Sequence, residues 1–252
     1  MPIVSVVVPS YNDAVLLRAC LAALAVQTRP ADEVIVVDNA STDDTAEVAI
    51  AGGARVVREE RRGILAATSA GFDAAVGDLL LRLDADSVPG PDWVERVVAA
   101  FDDDPSLGAL SGPGVFYGGS AAIHWIAEHI YIGAYSSIVR GLLGHPVLFG
   151  SNLAIRATTW AQVRTRVHRD VREVHDDFDI AINLEPGTGV RFDPTLRVGV
   201  SARPFESLSG LGRRFDWAFR TMAINHREES LWRRRRQWHE ANRASRAAER
   251  TG

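Results

Sequence analysis

Four short apolar runs, each closing on turn-forming or acidic residues and each parted from the next by a helix-length stretch, constrain this chain more than any other feature. Ile3 to Val8, Glu33 to Asp38, Ala54 to Val57 and Leu79 to Leu83 are rich in Val, Ile and Leu. Near-continuous hydrophobicity is expected of parallel strands covered on both faces. Between them, Ala14 to Val26, a stretch reaching Ile50, and Gly63 to Ala75 read as helices. Asn12 or Asp13 can cap the first, while Gly52-Gly53 and Gly77-Asp78 stop the second and third. Strand alternating with helix predicts an α/β architecture with a mainly parallel sheet.

In such sheets ligands collect beyond the carboxyl ends of the strands, and here those ends carry Tyr11-Asn12, Asp38-Asn39 and Asp84-Ala85-Asp86. In an extended chain alternate side chains share a face, so Asp84 and Asp86 point at one spot with only Ala85 between them. Two carboxylates so close repel each other and need a cation. A hard divalent ion, Mg²⁺ or Mn²⁺, that is also held by diphosphate oxygens would satisfy them. The alternative is a turn in which Asp86 or Ser87 caps the helix beginning near Pro89 to Trp93. The first turn has no Gly-x-Gly-x-x-Gly, and no Gly-x-x-x-x-Gly-Lys-Ser/Thr occurs, which disfavours dinucleotide oxidoreductases and P-loop NTPases.

These segments, in this order and spacing, resemble the family 2 glycosyltransferases over residues 3 to 100. Val4-Ser5-Val6-Val7-Val8-Pro9-Ser10-Tyr11-Asn12 looks like the family's opening strand, Val34 to Asp43 like its second motif, and Gly77-Asp78 through Asp84-Ala85-Asp86 like its metal motif. The resemblance implies a GT-A-like nucleotide-diphospho-sugar transferase fold. It carries Pro9, Tyr11 and Asp38 to the nucleotide base, Asp84 to the nucleoside or the metal, and Asp86 to the metal itself, with a UDP- or GDP-sugar as donor. Where the family commonly reads Ala-Arg-Asn, this chain has Ala67-Thr68-Ser69. Arg62 or Arg61 is then the substitute cation, unless Glu59-Glu60-Arg61-Arg62 is only a solvated surface run.

The second half adds three further likenesses. Val147 to Arg156 looks like the family's strand with a Gly-x-Asn segment near donor and acceptor, where Gly150 lets backbone approach a ligand closely; a β-bulge is the plainer use. His175-Asp176-Asp177-Phe178-Asp179 is similar to the family's Glu-Asp-x-Asp-Leu, which puts Asp177 at the general base with Asp176 as the fallback. Transfer to a hydroxyl needs a carboxylate of raised pKa to take its proton, whereas an acidic first turn of the helix running to Leu184 needs no catalysis. His175 is a metal ligand or a supporting residue. Arg203, Arg213 and Arg214 match the arginine-bearing segment that the family closes over the diphosphate, a guanidinium fork suiting two phosphate oxygens. Thr188 to Phe192 and Leu196 to Ser201 read as a hairpin around Asp193-Pro194.

With 252 residues, 46% of them apolar, the chain suits one large domain. Residues 1–202 are expected to form the catalytic unit, 1–100 binding the donor and 101–202 supplying the acceptor side and the base. Residues 203–252 form a basic helical segment. The first part carries 16 Arg against 26 acids (−10) and the second 12 Arg against 6 acids (+6). The segment Leu231 to Trp238, with tryptophans six apart among arginines, suits an anionic lipid surface or a solvated helix better than nucleic acid. A lone Cys20 permits no internal disulfide, and the absence of lysine excludes Schiff-base chemistry. No signal-peptide pattern opens the sequence. The helical stretch Gly119 to Leu143, read as packing, is broken by His124, Glu128, His129 and Arg140, too polar for the roughly 20 apolar residues of a membrane span. The expectation is a cytoplasmic, metal-dependent inverting glycosyltransferase. Its acceptor would be a sugar hydroxyl or a lipid phosphate, as in envelope polysaccharide or glycolipid synthesis, with peripheral membrane contact through the basic segment. A nucleotidyltransferase is the weaker reading, since Pro9-Ser10-Tyr11-Asn12 is not a Gly-rich, basic first loop; a non-enzymatic nucleotide-sugar or membrane-surface binding module is the third.

Overall fold

β1 (Val4–Ser10) is buried along its whole length, and its side chains alternate between two cores rather than between core and solvent. Val4, Val6 and Val8 join one hydrophobic cluster and Val7 the other. This two-sided burial is why the run lacks polar alternation. In the computed structural model, which describes residues 1–119, 135–203 and 208–248, β2 (Glu33–Asp38) and β4 (Leu79–Arg82) flank β1 in parallel and β3 (Arg55–Arg58) lies outside β2. The crossovers are α1 (Ala14–Ala25), α2 (Thr45–Ala51) and α3 (Ile64–Ala74). α3 lies close on the sheet because Gly71 has no Cβ; one there would collide with Val7 and stand 2.8 Å from Val37 Cγ2.

Beyond β4 the sheet continues through β8 (Leu153–Arg156), β6 (Leu107–Ser111) and β9 (Gly189–Phe192), giving the order β3-β2-β1-β4-β8-β6-β9. β8 runs antiparallel to both neighbours, and β9 is parallel to β6. A second sheet holds β5 (Val88–Pro89), β10 (Val198–Ser201) and β7 (Gly114–Tyr117), in that order. α4 (Trp93–Asp103) covers the first core with α1; α7 (Asp176–Asn183) covers the second with α3. α5 (Tyr135–Leu143) adds Val139 and Leu143 to that second core, and α6 (Ala157–Val163) adds Trp160. Residues 120–134, with His124, Trp125 and Tyr131 of the expected packing helix, lie outside the described residues.

Three expectations are corrected here. The segments on either side of Asp193-Pro194 do not form a hairpin: β9 belongs to the large sheet and β10 to the small one. The connecting residues are held between layers instead, with Asp193 N–H donating to Ser111 O (2.8 Å), Arg96 bonded to Thr195 O (2.9 Å), and Leu196 buried in the first core. Gly150-Ser151-Asn152 is a 3₁₀ turn into β8 and not a bulge. Asn152 is fully enclosed, accepting from Trp93 Nε1 (2.9 Å) and donating to Leu196 O (2.6 Å), so it ties α4 to the inter-sheet link. Nor is the C-terminus a solvated tail. α8 (Leu208–Glu228) and α9 (Leu231–Ala248) dock on the body, α9 burying Leu231, Arg234 and Trp238, an i, i+3, i+7 stripe. Trp232 falls on another face and is exposed. Among the described residues, no helix is long and apolar enough to cross a membrane.

Candidate active site

The acidic pair after β4 sits on a tight turn, not on an extended strand. Ser87 N–H donates to Asp84 O (2.9 Å), and Asp84 N–H to Ser87 Oγ (3.1 Å). Ser87 therefore closes the turn instead of capping a helix; the cap position of α4 is Asp92. The turn presents both carboxylates to a cleft, Asp84 the more open and Asp86 largely covered, with Tyr117 Oη–H donating to Asp86 O (2.7 Å). Burial, and then the neighbouring Asp84, push the Asp86 carboxyl up to about 7 against the opposing pull of Arg203.

Behind that turn lies a residue that the apolar reading of the strand passed over. Alternation places Arg82 opposite Leu81 and Leu83, on the side of α3 and α7, where only 2% of it is exposed. Its Nη1 stands 2.7 Å from Asp84 Oδ1 and its Nη2 3.0 Å from Asp176 Oδ2. Burial would lower its pKa, but Asp176 and Asp84 outweigh that and hold the guanidinium charged. Thr68, at the position where the family commonly has arginine, donates its hydroxyl to the same Asp176 oxygen (2.6 Å). A cation in an otherwise apolar strand, with acids due nearby, was the signal available in the sequence.

Asp177, half-buried at the start of α7, accepts from Gly150 N–H through Oδ2 (2.8 Å) and from Phe178 N–H through Oδ1 (2.7 Å). Burial, then Asp176, raise its pKa. Gly150, which lines the cleft, also packs closely against protein: a Cβ there would lie 2.5 Å from Arg82 Nη1. Asp179 faces away from the cleft, wholly enclosed. It accepts from His168 N–H (2.9 Å), His168 Nδ1 (2.7 Å) and Asn225 Nδ2 (2.7 Å).

One cleft of about 570 Å³ gathers Pro9, Tyr11, Asp84, Asp86, Asp176, Asp177 and Arg214, together with Arg203, Arg213, His175 and Trp217. Arg203 Nη2 lies 2.8 Å from Asp13 Oδ2 and 3.6 Å from Asp86 Oδ2. That occupies the Asp13 side chain, and neither it nor Asn12 caps α1; Ala14 N–H donates to Asp43 Oδ2 instead (3.1 Å). His175 Nε2 meets the Arg214 carbonyl (2.9 Å) and its ring meets Trp217 edge-on, a pairing that seats α8 on α7 and commits that nitrogen to protein. Arg213, Arg214 and Trp217 belong to the basic C-terminal segment, which thus forms part of the cleft wall.

Asp38 and Arg62 do not line the cleft. Asp38 is buried and accepts from Ser41 N–H (2.9 Å), bracing a loop in which Ala40 takes φ +56°, beside Asn12 at φ +48°. Asn12 Oδ1 accepts from Thr42 N–H (2.7 Å), so the loops after β1 and β2 are stitched together. Asn39 bonds the carbonyls of Glu59 and Arg61 and Gly63 N–H, which fixes the next loop and sets Arg62 over the Tyr11 ring, 3.2 Å from its centroid. Arg61 pairs with Asp170 and Glu59 at the surface.

Residues 5–171 match the model for glycosyl transferase family 2. The chain belongs to that family. It is similar to glycosyltransferase AglE of Haloferax volcanii, 36% identical over 123 residues that cover 46% of this chain and 38% of that protein. Similarity to the uncharacterized glycosyltransferase Rv0539 of Mycobacterium tuberculosis reaches 40% over 104 residues, 41% of this chain and 46% of that one. The matched stretch spans less than half the length of these curated relatives. Among solved structures, mannosyltransferase PcManGT of Pyrobaculum calidifontis, in complex with GDP-Man and Mn²⁺, superposes with a TM-score of 0.64 at 22% identity, over 98% of this chain and 76% of that one. Glucosyl-3-phosphoglycerate synthase of M. tuberculosis gives 0.65 at 21% identity, over 89% and 80%. At these identities the likeness establishes the fold, a mixed α/β sheet of the GT-A type.

The donor set of this family 2 member fits a divalent ion that a ligand helps to hold. Among the described residues no group of three or more His, Cys, Asp or Glu converges as a cage. The cleft offers two adjacent carboxylates, one of them largely desolvated, which suits Mg²⁺ or Mn²⁺ completed by phosphate oxygens and water.

Proposed function

We propose that this chain is a metal-dependent inverting glycosyltransferase that moves a sugar from a UDP- or GDP-sugar to an acceptor hydroxyl or lipid phosphate. The observation that carries the reading is that Asp86, on the turn after β4, and Asp177, at the start of α7, line the same cleft as Arg203, Arg213 and Arg214. Asp86, with Asp84 beside it, would hold Mg²⁺ or Mn²⁺, which would neutralise charge on the leaving diphosphate. Pro9 and Tyr11 wall the nucleotide base; Asp38 supports them by bracing the neighbouring loop, and Arg62 by stacking on Tyr11. Arg214, with Arg203 and Arg213, meets phosphate oxygens.

Asp177 takes the acceptor proton as the acceptor oxygen attacks the anomeric carbon. One C–O bond forms, the bond to the diphosphate breaks, and the proton ends on the carboxylate. Its raised pKa suits the task. With Asp177 acting as the base, transfer is a single displacement with inversion. In this reading residues 1–100 bind the donor, 101–202 supply the base and acceptor wall, and 203–252 complete the phosphate side. A cytoplasmic setting with peripheral contact with an anionic membrane belongs to the same reading, supported by exposed Phe215, Phe219 and Trp232 among the arginines of α8 and α9.

The test is incubation of purified protein with a panel of UDP- and GDP-sugars and Mn²⁺ or Mg²⁺, with nucleoside diphosphate release as the readout. Metal-dependent release that is lost in Asp86→Ala, with folding intact, supports transfer. Pyrophosphate formed from a sugar phosphate and an NTP identifies a nucleotidyltransferase instead. Binding without turnover identifies a binding module.

A further inference from the structure

Besides Asp13, which pairs with Arg203, the cleft holds two pairs of carboxylates, Asp84 with Asp86 and Asp176 with Asp177, and four equivalent acids would compete for one metal ion and one proton. They are not equivalent, because a single buried guanidinium forks between one member of each pair. Arg82 spans from Asp84 Oδ1 (2.7 Å) to Asp176 Oδ2 (3.0 Å), and its Nε has no hydrogen-bond partner. Its position is therefore set by the two carboxylates at its ends. Asp177 is left with the neutral donors Gly150 N–H and Phe178 N–H, and Asp86 with Arg203 at 3.6 Å. Gly150 packs against the same guanidinium so closely that a Cβ would meet Nη1 at 2.5 Å, which makes Arg82 the backing for the N–H that orients Asp177.

We propose that Arg82 is a positioning residue that sorts these two pairs of acids, engaging Oδ1 of Asp84 and Oδ2 of Asp176 so that Asp86, with the other oxygen of Asp84, faces the metal and Asp177 remains for the acceptor proton. The proposal rests on the glycosyl-transfer reading above. A planar five-donor fork fixes the separation between the β4 turn and the start of α7, which a point-like ammonium cannot do. Without it the two elements keep their cores but lose their register, and misplacement of catalytic groups by about 1 Å costs about 100-fold in rate. The groups facing Asp177 are Asp176 on its own helix, His175 at the cap position before it, Gly150 on the turn before β8, and Arg82 on β4.

Two measurements test this. In the first, kcat and KM for hydrolysis of the sugar nucleotide taken from the panel are compared among wild type, Arg82→Met and Arg82→Lys. Arg82→Met is expected to lower kcat about 100-fold, with a smaller change in KM; Arg82→Lys keeps the charge and still loses about tenfold, since it reaches one carboxylate only. In the second, ¹³C-labelled aspartate carboxylates of the ligand-free protein are titrated by NMR, with Asp177 assigned through Asp177→Asn. Its midpoint is expected to rise in Arg82→Met and to stay in place in Arg82→Lys. Retention of kcat within about threefold in Arg82→Met, full recovery in Arg82→Lys, or an unmoved Asp177 midpoint in Arg82→Met overturns the proposal. If Arg82→Met does not fold, the Lys variant decides through kcat. If wild type turns over no sugar nucleotide, the transfer reading falls by itself, and the titration still judges Arg82.

Discussion

At the end of β4, Asp84 and Asp86 sit on a four-residue turn open to the cleft, while at the start of α7, Asp179 is enclosed, Asp176 reaches the cleft wall but is buried, and Asp177 is the most exposed of the three. Both are short acidic clusters on loop-to-element junctions. They differ in what fills the carboxylate lone pairs. Asp176 is taken by Arg82 and Thr68, and Asp179 by His168 and Asn225. Asp86 meets Arg203 at the longer distance of 3.6 Å, from a side chain that is half exposed. An acid whose oxygens are already satisfied by buried donors serves the fold; one that is partly desolvated and under-satisfied is available for an ion or a proton.

Substitutions that break this contrast should fall in a definite order. Asp177→Asn is expected to keep donor binding, followed by calorimetry with UDP or GDP, and to reduce transfer by about 10²–10⁴, the usual contribution of a general base. Survival of transfer would move the base to Asp176. Asp179→Ala is expected to cost stability rather than chemistry, about 3–5 kcal/mol in urea unfolding, because it removes the enclosed acceptor shared by the half-buried His168 and buried Asn225. Asp86→Ala should weaken Mn²⁺-dependent nucleotide binding by about 10–100-fold while leaving the unfolding midpoint nearly unchanged.

A pH experiment sharpens the structural side of the comparison. His168 is held up at about 9 by its hydrogen bond to Asp179, against the opposing effect of burial. A histidine raised above its ordinary 6.5 stabilises the fold fully below that value and loses the contribution as pH climbs through about 9. The urea midpoint should therefore decline over that window in wild type, and the decline should shrink in Asp179→Ala, where only Glu228 still faces the imidazole. The smallest effect belongs to the rim: Glu228 also meets His168, at 3.2 Å, but is largely exposed, so Glu228→Gln should change stability by about 0.5 kcal/mol or less.

The βαβ half was legible because its signals are local. Runs such as Val4-Ser5-Val6-Val7-Val8 and stops such as Gly77-Asp78 carry their meaning within a few residues, and β1 to β4 form where those signals put them. The second half was harder for a reason that Asp193-Pro194 illustrates. Two strand-like segments joined by a turn have the local pattern of a hairpin, yet each found a better partner, β6 for one and β7 for the other. Asn152 likewise sat in a motif associated with ligands but spends both ends of its amide on Trp93 and Leu196. Asp38 and Arg62 came from the right loops, but the fold buries Asp38 under its own loop and lays Arg62 over the Tyr11 ring.

Periodicity and acidic strand ends in the sequence alone determined a parallel, two-sided sheet and the edge at which polar groups would gather, since both follow from neighbours a few residues apart. Only the tertiary structure decided which acids share a buried cation. That depends on Arg82, whose partners Asp84 and Asp176 lie 92 residues apart (176 − 84), and on the low dielectric of the interior that makes such a cation choose its counter-charges.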